Sequence, residues 1–144
     1  MRVKKDIRLN IYWIITSNAI AYMDEKYKVE TVTGFPYSNN FDLYQNSINE
    51  TWVVSSNGLY VATTEDLLSG KEITPVFFGV DNGLPAIATG NSYSGLTEDG
   101  DLYVACSSGV VKVNIDSSFE NVGKLKVSVP YIDADEKTIY PSEN

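Results

Sequence analysis

Short runs of β-branched and aromatic residues alternate with turn-forming residues along most of this chain. Such runs are typical of strands, and the clearest ones are 11–15, 51–54, 58–61, 76–78 and 110–113. The breaks between runs hold Asn-Gly, Asp-Gly, Ser-Gly or Ser-Asn pairs, which adopt positive φ at low steric cost and suit tight hairpins. The pattern therefore predicts an all-β chain built from hairpins.

Helical spacing is almost absent from the sequence. The exception is 64–70, where we expect Thr64 to cap one or two helical turns and Gly70 to end them.

One motif occurs three times in the chain. Residues 13–20 align with 52–59, 39 positions later, and these align with 103–110 after a further 51 positions. A second marker repeats in the same phase, because Gly34-Phe35-Pro36 recurs as Gly83-Leu84-Pro85. Four short strands in roughly 40 to 50 residues is the size of one β-propeller blade.

The repeat predicts a partial β-propeller of about three four-stranded blades, at about 1–33, 34–80 and 81–123. A blade has two faces, and each face needs a neighbouring blade to cover it. Three blades cannot close a ring, because propellers use typically four to eight. We therefore expect that this chain is cut from a longer propeller or completes itself by self-association.

Several of these segments resemble a known family. Residues 52–60 are similar to the core motif of the two-component regulator propeller repeat, 81–85 to the loop that opens the next repeat, and 98–103 to its second hairpin. The stretch 126–133 is similar to the start of the triple-tyrosine β-sandwich domain that follows such propellers. The first copy departs from the pattern, since Ala19 stands where glycine is expected.

The resemblance implies the propeller region of a bacterial membrane sensor, which lies outside the cytoplasmic membrane and is coupled to a histidine kinase or a diguanylate cyclase. It implies a non-catalytic, ligand-binding role, with 124–144 as the start of a following β-sandwich domain or a closing strand. Two alternatives stay open. One is a protein-interaction or self-assembly scaffold, and the other is a propeller enzyme that acts on carbohydrate.

Composition removes several classes of function. Eleven Lys and Arg against nineteen Asp and Glu give a net charge of −8, which argues against nucleic acid as a partner. The absence of histidine excludes Ser-His-Asp and Cys-His sites and removes the commonest zinc ligand. The only cysteine, Cys106, follows an apolar run and is interpreted as a small buried hydrophobe. No cofactor is predicted, and no run approaches the roughly 20 apolar residues of a membrane span.

The charges are unevenly placed. The first eight residues hold Arg2, Lys4, Lys5 and Arg8. A short basic segment of this kind is typical of a solvated chain end, and contact with a membrane surface is the alternative.

The sequence contains few acidic residues that are candidates for a metal site or for catalysis. Asp81, Asp99 and Asp101 flank glycine or Asn-Gly pairs, which favours turn chemistry. No Asp-x-Asp-x-Asp-Gly calcium loop is present, and no metal site is predicted. Asp42 and Glu98 are the candidates for a pair of carboxylates that cleaves a glycoside, although the sequence does not fix their separation.

Ligand candidates come from the positions that vary between repeats. Trp13 and Trp52 repeat, which favours packing between blades over stacking on sugar rings. Segments 39–45 and 91–94 differ most between units and are expected on inner strands near the central axis. The predicted pocket residues, for an unknown small molecule such as a carbohydrate derivative, are Asn40, Asp42, Tyr44, Asn91 and Tyr93.

Overall fold

The computed structural model describes residues 1–36, 38–90 and 93–117, and the backbone of 132–134 and 137–139. Sheet A is an antiparallel meander of the strands β1 (Arg2–Lys5), β2 (Tyr12–Ile15), β3 (Ile20–Met23) and β4 (Val29–Thr31). Sheet B has the same order, with β5 (Asn40–Gln45), β6 (Glu50–Ser55), β7 (Leu59–Thr63) and β8 (Val76–Phe78).

Sheet C follows with three described strands, β9 (Gly95–Leu96), β10 (Asp101–Cys106) and β11 (Gly109–Asn114), in the spatial order β11-β10-β9. A last antiparallel hairpin joins β12 (Ile132–Ala134) to β13 (Lys137–Ile139). The prediction of an all-β chain is confirmed. Most of the predicted tail, 124–144, lies outside the described residues.

The three copies of the repeated motif form the same hairpin. Each supplies the second and third strands of its sheet. The pairs Thr16–Ala19, Ser55–Gly58 and Cys106–Gly109 leave two residues at the tip of each turn. The strands pair in equivalent register in all three sheets: Ile15 with Ile20, Val54 with Leu59, and Ala105 with Val110. The alignment made from the sequence is therefore also an alignment of backbone positions.

The first turn differs from the other two in its backbone. Gly58 and Gly109 have φ angles of 148° and 136°, which favour glycine. Ala19 stands at the equivalent place but is not among the positive-φ residues. In this turn the Thr16 hydroxyl accepts from the Ala19 N–H at 3.1 Å, so a side chain helps to close the hairpin.

Sheet B is covered on both faces. Trp13, Ile15 and Ile20 of sheet A pack against Val53 and Tyr60 in one apolar cluster. On the opposite face, Trp52 and Val54 pack with Leu102, Val104 and Val111 of sheet C in a second cluster. The alternation along β6 explains this arrangement, since neighbouring residues of a strand point to opposite faces.

The second sequence marker places one apolar side chain in each of these clusters. Phe35 is buried between sheets A and B, where its ring lies 5.5 Å from that of Tyr60 in an edge-on contact. Leu84 is buried between sheets B and C. The repeat in the loops therefore seals the space between consecutive sheets.

The outer faces of sheets A and C are exposed. Trp13 and Trp52 are 0% and 1% exposed, but Tyr103 at the same motif position is 41% exposed, and Val110 beside it is 68% exposed. Val3 on the outer face of sheet A is exposed as well. The aromatic residue at this motif position therefore packs between sheets, as expected, in sheets A and B, where the next sheet covers it.

A buried polar junction joins sheets A and B. Asp6, in the turn after β1, accepts hydrogen bonds from the backbone N–H groups of Arg8 and Leu9 at 2.8 and 2.6 Å. Its carboxylate also accepts from Trp13 Nε1 at 2.8 Å and from Gln45 Nε2 at 2.7 Å. Burial alone would raise the pKa of Asp6, but these four hydrogen bonds hold it below its ordinary value.

The predicted helix forms, but its N-cap lies one residue before the expected Thr64. Helix α1 spans Thr64–Leu68, and its N-cap is Thr63, whose hydroxyl accepts from the Asp66 N–H at 3.1 Å. Thr64 is instead buried against Thr51, with 3.1 Å between the two hydroxyl oxygens.

None of the helices among the described residues has the length and apolarity that a membrane crossing requires.

Candidate functional site

The predicted pocket residues lie where the first strands of the sheets meet. In sheet A, Lys4 pairs with Trp13 across the strands, and in sheet B, Tyr44 pairs with Trp52. Lys4 and Tyr44 are therefore equivalent positions, as are Arg2 and Asp42, which pair with Ile15 and Val54 respectively. This edge of the structure brings the same register positions of neighbouring sheets into contact.

A bulge in β5 shapes this edge. Asn40 pairs with Ser55 and Asp42 with Val54, so Phe41 is an extra residue in the strand. A bulge re-aims the side chains on either side of it. Gly90 lies close to the Phe41 ring, because a Cβ at Gly90 would stand 3.0 Å from its Cε1.

Asp42 is the centre of a polar cluster and is itself buried. Its Oδ1 lies 2.8 Å from Lys4 Nζ, and its Oδ2 lies 4.0 Å from Arg2 Nε. The hydroxyl of Tyr44 donates to Asp42 Oδ2 at 2.9 Å and lies 2.7 Å from the Ser94 carbonyl oxygen. One carboxylate thus links side chains from sheets A and B, and Tyr44 extends the cluster to the segment that leads into β9.

Both basic side chains also lie over aromatic rings. Lys4 Nζ is 3.5 Å from the centre of the Tyr44 ring, and Arg2 Cζ is 3.8 Å from the centre of the Tyr93 ring. Contacts of this kind contribute about 0.5–2 kcal/mol, depending on how far they are removed from water. They hold Lys4 against β5 and Arg2 against the segment that leads into β9.

Burial dominates the electrostatics of this cluster. It lowers the pKa of Lys4 below its ordinary value even though Asp42 acts in the opposite direction. It also raises the pKa of Tyr44, and the neighbouring Asp42 carboxylate adds to that effect. At neutral pH Tyr44 is therefore a neutral hydrogen-bond donor.

A cavity of about 580 Å³ opens beside the cluster. Polar side chains make up most of its wall: Arg2, Thr16, Ser17, Asn39, Asn40 and Tyr93. Among the described lining residues, Arg2 alone has a charged side chain. The wall offers hydroxyl, amide and guanidinium groups, which can bind a small polar molecule.

The structure brings four of the five predicted pocket residues to this place. Asn40 is buried, its Oδ1 accepts from the Ser38 hydroxyl at 3.0 Å, and it lines the cavity. Tyr93 lines the cavity with an 80% exposed side chain. Asp42 and Tyr44 form the cluster beside it, and Asn91 lies outside the described residues.

Arg2 and Lys4 were not among the predicted site residues. The basic segment was expected to be a solvated chain end, but β1 pairs along its whole length with β2, and Lys4 Nζ also donates to the Leu43 carbonyl at 2.9 Å. A signal was present, because Arg2 and Lys4 alternate with Val3 and Lys5. Alternation of this kind places the first two on one face of a strand.

Two of the acidic candidates, Asp101 and Asp42, form ion pairs within the protein. Asp101 Oδ2 lies 2.7 Å from Lys112 Nζ, and Asn114 Nδ2 donates to its Oδ1 at 2.9 Å. Asp42 is neutralised by Lys4. In the part of the chain that the structure describes, no three acidic or cysteine side chains are grouped as a metal site would need.

Cys106 is less buried than expected. It is half-buried, and its Sγ lies 3.6 Å from the Ala86 carbonyl oxygen. Partial burial raises the pKa of this thiol, so the thiol stays protonated at neutral pH.

No protein-family model matches the chain, and no curated protein matches it.

Proposed function

We propose that this chain is the ligand-binding part of a non-catalytic extracytoplasmic sensor in a bacterial signal-transduction protein. In this proposal sheets A, B and C are three consecutive blades of a β-propeller, within 1–33, 34–80 and 81–123. Residues 124–144 begin a following β-sandwich domain or supply a closing strand. The ligand is a small molecule, with carbohydrate derivatives among the candidates.

One observation carries the ligand-binding role: the polar cavity where β1 and β5 meet. It lies at positions of equivalent register in neighbouring sheets, which in a propeller are the inner strands around the axis. The stacking of sheet A on B and of B on C through repeated apolar positions supports the same architecture. A non-catalytic role is favoured because Asp42, the buried acid beside the cavity, is held by Lys4 and Tyr44.

A thermal-shift screen of the 144-residue chain against neutral sugars, short peptides and small acids tests this proposal. We expect a saturable rise in Tm with at least one class and no product in the mixture. Tyr93→Ala should abolish the rise. Tyr27→Ala is the matched control, because Tyr27 is also 80% exposed but lies in the turn between β3 and β4. The same rise in wild type and Tyr93→Ala would contradict the assignment of the cavity, and release of product would favour a carbohydrate-active enzyme.

The second candidate is a self-assembly or interaction scaffold, and the exposed outer faces of sheets A and C favour it. Val110 and Tyr103 occupy positions that are buried in the other two sheets. Size-exclusion chromatography with light scattering tests self-association. If the chain self-assembles through these faces, the wild type forms oligomers that Val110→Glu disperses, whereas a wild type that stays monomeric at high concentration contradicts self-assembly.

A further inference from the structure

We propose that two copies of this chain assemble head to tail, with the outer face of sheet C in one copy packed on the outer face of sheet A in the other. The same contact, which we call the C–A seam, occurs twice and closes six sheets into a ring. This inference rests on the proposed propeller architecture. It adds to that architecture a partner, the two faces that meet and a stoichiometry.

The outer face of sheet C has the pattern of a face that receives a following sheet. Val110 occupies the register position of Ile20 and Leu59, and Tyr103 occupies that of Trp52. Ile20, Leu59 and Trp52 are buried under the sheet that follows their own, whereas Val110 and Tyr103 are exposed. The positions of sheet C are therefore apolar in the same way but uncovered.

The outer face of sheet A has the opposite pattern, that of a face that receives a preceding sheet. Val3 pairs with Ile14 as Leu43 pairs with Val53 in sheet B. Leu43 and Val53 are buried against sheet A, whereas Val3 is exposed and Ile14 is half-buried. The strand register places four further apolar side chains on this face: Tyr12, Ala21, Met23 and Val29.

The two outer faces complement each other in kind. In the contacts of A with B and of B with C, a face that receives a following sheet always meets one that receives a preceding sheet. Packing C on A repeats this match, whereas packing A on A or C on C joins two faces of one kind. Propellers typically have four to eight blades. Two copies supply six sheets, while one copy supplies three and three copies supply nine, so two copies close the ring.

One charged position of sheet A lies where the C–A seam would form. Lys5 pairs with Tyr12 as Gln45 pairs with Thr51, so Lys5 and Gln45 are equivalent positions. Gln45 Nε2 reaches across the contact of A with B and donates to Asp6 in the first turn of the preceding sheet at 2.7 Å. We therefore expect Lys5 to reach the first turn of sheet C in the other copy.

That turn of sheet C is acidic. It joins β9 to β10 over 97–100 and carries the exposed side chains of Glu98 and Asp99. In the ion pairs of the described residues, neither of these carboxylates nor Lys5 takes part. Opposite charges on two docking faces favour the correct register and suppress pairing of like faces. Charge thus favours C on A over the symmetric alternatives.

Sedimentation equilibrium of the 144-residue chain tests this assembly. We expect a reversible equilibrium between monomer and dimer, without larger species. Val110→Glu on sheet C and Val3→Glu on sheet A should each abolish the dimer, because a carboxylate would be buried in both apolar seams. An equimolar mixture of the two variants should regain a heterodimer, weaker than the wild-type dimer. In that mixture the intact sheet A of one variant meets the intact sheet C of the other.

Charge reversal tests the predicted contact of Lys5. Lys5→Glu should raise the Kd of the dimer about tenfold, because the change acts at both seams. The double variant Lys5→Glu with Glu98→Lys should recover most of the lost affinity. Lys71→Glu is the matched control, since it changes the net charge equally but lies in the exposed loop between α1 and β8 of the middle sheet. It should leave the Kd within twofold, and circular dichroism reports on the folding of each variant.

Amide exchange provides a second readout that does not depend on variants. In the monomer the outer sheets exchange sooner than sheet B, because one face of each is exposed. The dimer covers both faces, so exchange in β3 and β11 should slow as the chain concentration rises through the Kd. Exchange that is independent of concentration would overturn the inference.

The other outcomes also decide the matter. A monomeric wild type overturns the inference and leaves the ligand-binding function standing, and a lower Tm of monomeric Val110→Glu would then indicate that another part of the chain covers sheet C. A dimer that survives in either single variant indicates pairing of like faces and overturns the head-to-tail arrangement, and trimers or open polymers overturn the closed ring. A head-to-tail dimer that responds to no ligand in the thermal-shift screen upholds this inference and contradicts the sensor role.

Discussion

The junction at Asp6 provides the sharpest test of how sheets A and B are held together. In the wild type, the Asp6 carboxylate accepts from Trp13 Nε1 at 2.8 Å and from Gln45 Nε2 at 2.7 Å. Asp6→Ala removes this shared buried acceptor. A buried donor left without an acceptor costs about 1–3 kcal/mol, and the turn also loses its bonds to two backbone N–H groups. We therefore expect the free energy of unfolding to fall by about 4 kcal/mol.

Urea unfolding monitored by tryptophan fluorescence measures this change, because Trp13 is one of the side chains affected. Asp24→Ala is the matched control. Asp24 also accepts from two backbone N–H groups, those of Lys26 and Lys28 at 2.8 and 2.9 Å, but in an exposed turn. The control should cost less than about 1 kcal/mol, because water replaces the lost acceptor. If the two variants lose the same stability, the buried junction does not contribute as argued.

The same carboxylate makes stability depend on pH. The pKa of Asp6 is lower in the folded protein than its ordinary value of 3.8. Its contribution is therefore present above about pH 4 and is lost as pH falls through the folded pKa. Asp6→Asn keeps the shape but not the charge, so its deficit relative to wild type should be largest at pH 7 and shrink below pH 3.8. A deficit that stays constant between pH 7 and pH 2.5 would contradict this origin of the effect.

Two further predictions use matched positions in the sheets. Gly58→Ala should destabilise the protein by about 2 kcal/mol more than Gly109→Ala. A Cβ at Gly58 would overlap the Phe78 carbonyl oxygen, whereas one at Gly109 has no atom of the described residues within 4 Å. Equal losses of stability in urea unfolding would contradict the steric argument. Leu102→Ala should lower the free energy of unfolding by about 3 kcal/mol. Leu96, the cross-strand partner of Leu102, is partly exposed, so Leu96→Ala should lower it by less than about 1 kcal/mol. Thermal unfolding that ranks the two variants in reverse would refute the assigned packing.

The hairpins of the repeated motif could be predicted because their causes are local. Period-two patterning and turn pairs lie within each hairpin, so the equivalence of the three motif copies could be recognised in the sequence. The exposure of Tyr103 could not, because it depends on whether another sheet covers that face. The N-cap of α1 was misplaced for a similar reason. Thr63 and Thr64 are both suitable caps, and the choice is decided by the contact of Thr64 with Thr51 across sheet B.

The candidate site was predicted in part. Variation between repeats identified Asp42, Tyr44 and Tyr93, since positions that do not repeat are released from the packing requirement. Arg2 and Lys4 were missed because their charge was treated as a property of the chain end and not as alternate positions of a strand. Their contacts with sheet B join residues about 40 positions apart, and no local pattern specifies such a contact.

The coverage of sheet B on both faces has a consequence for motion. Amide groups open to solvent through local unfolding, and the regions that open last are those with the most buried surroundings. The amide hydrogens of β6 and β7 should therefore exchange with deuterium most slowly in the molecule, and those of the strands in sheets A and C sooner. Structural fluctuations would then begin at the two outer sheets and reach the middle one last, so that the edge where β1 meets β5 joins a more mobile wall to a more rigid one.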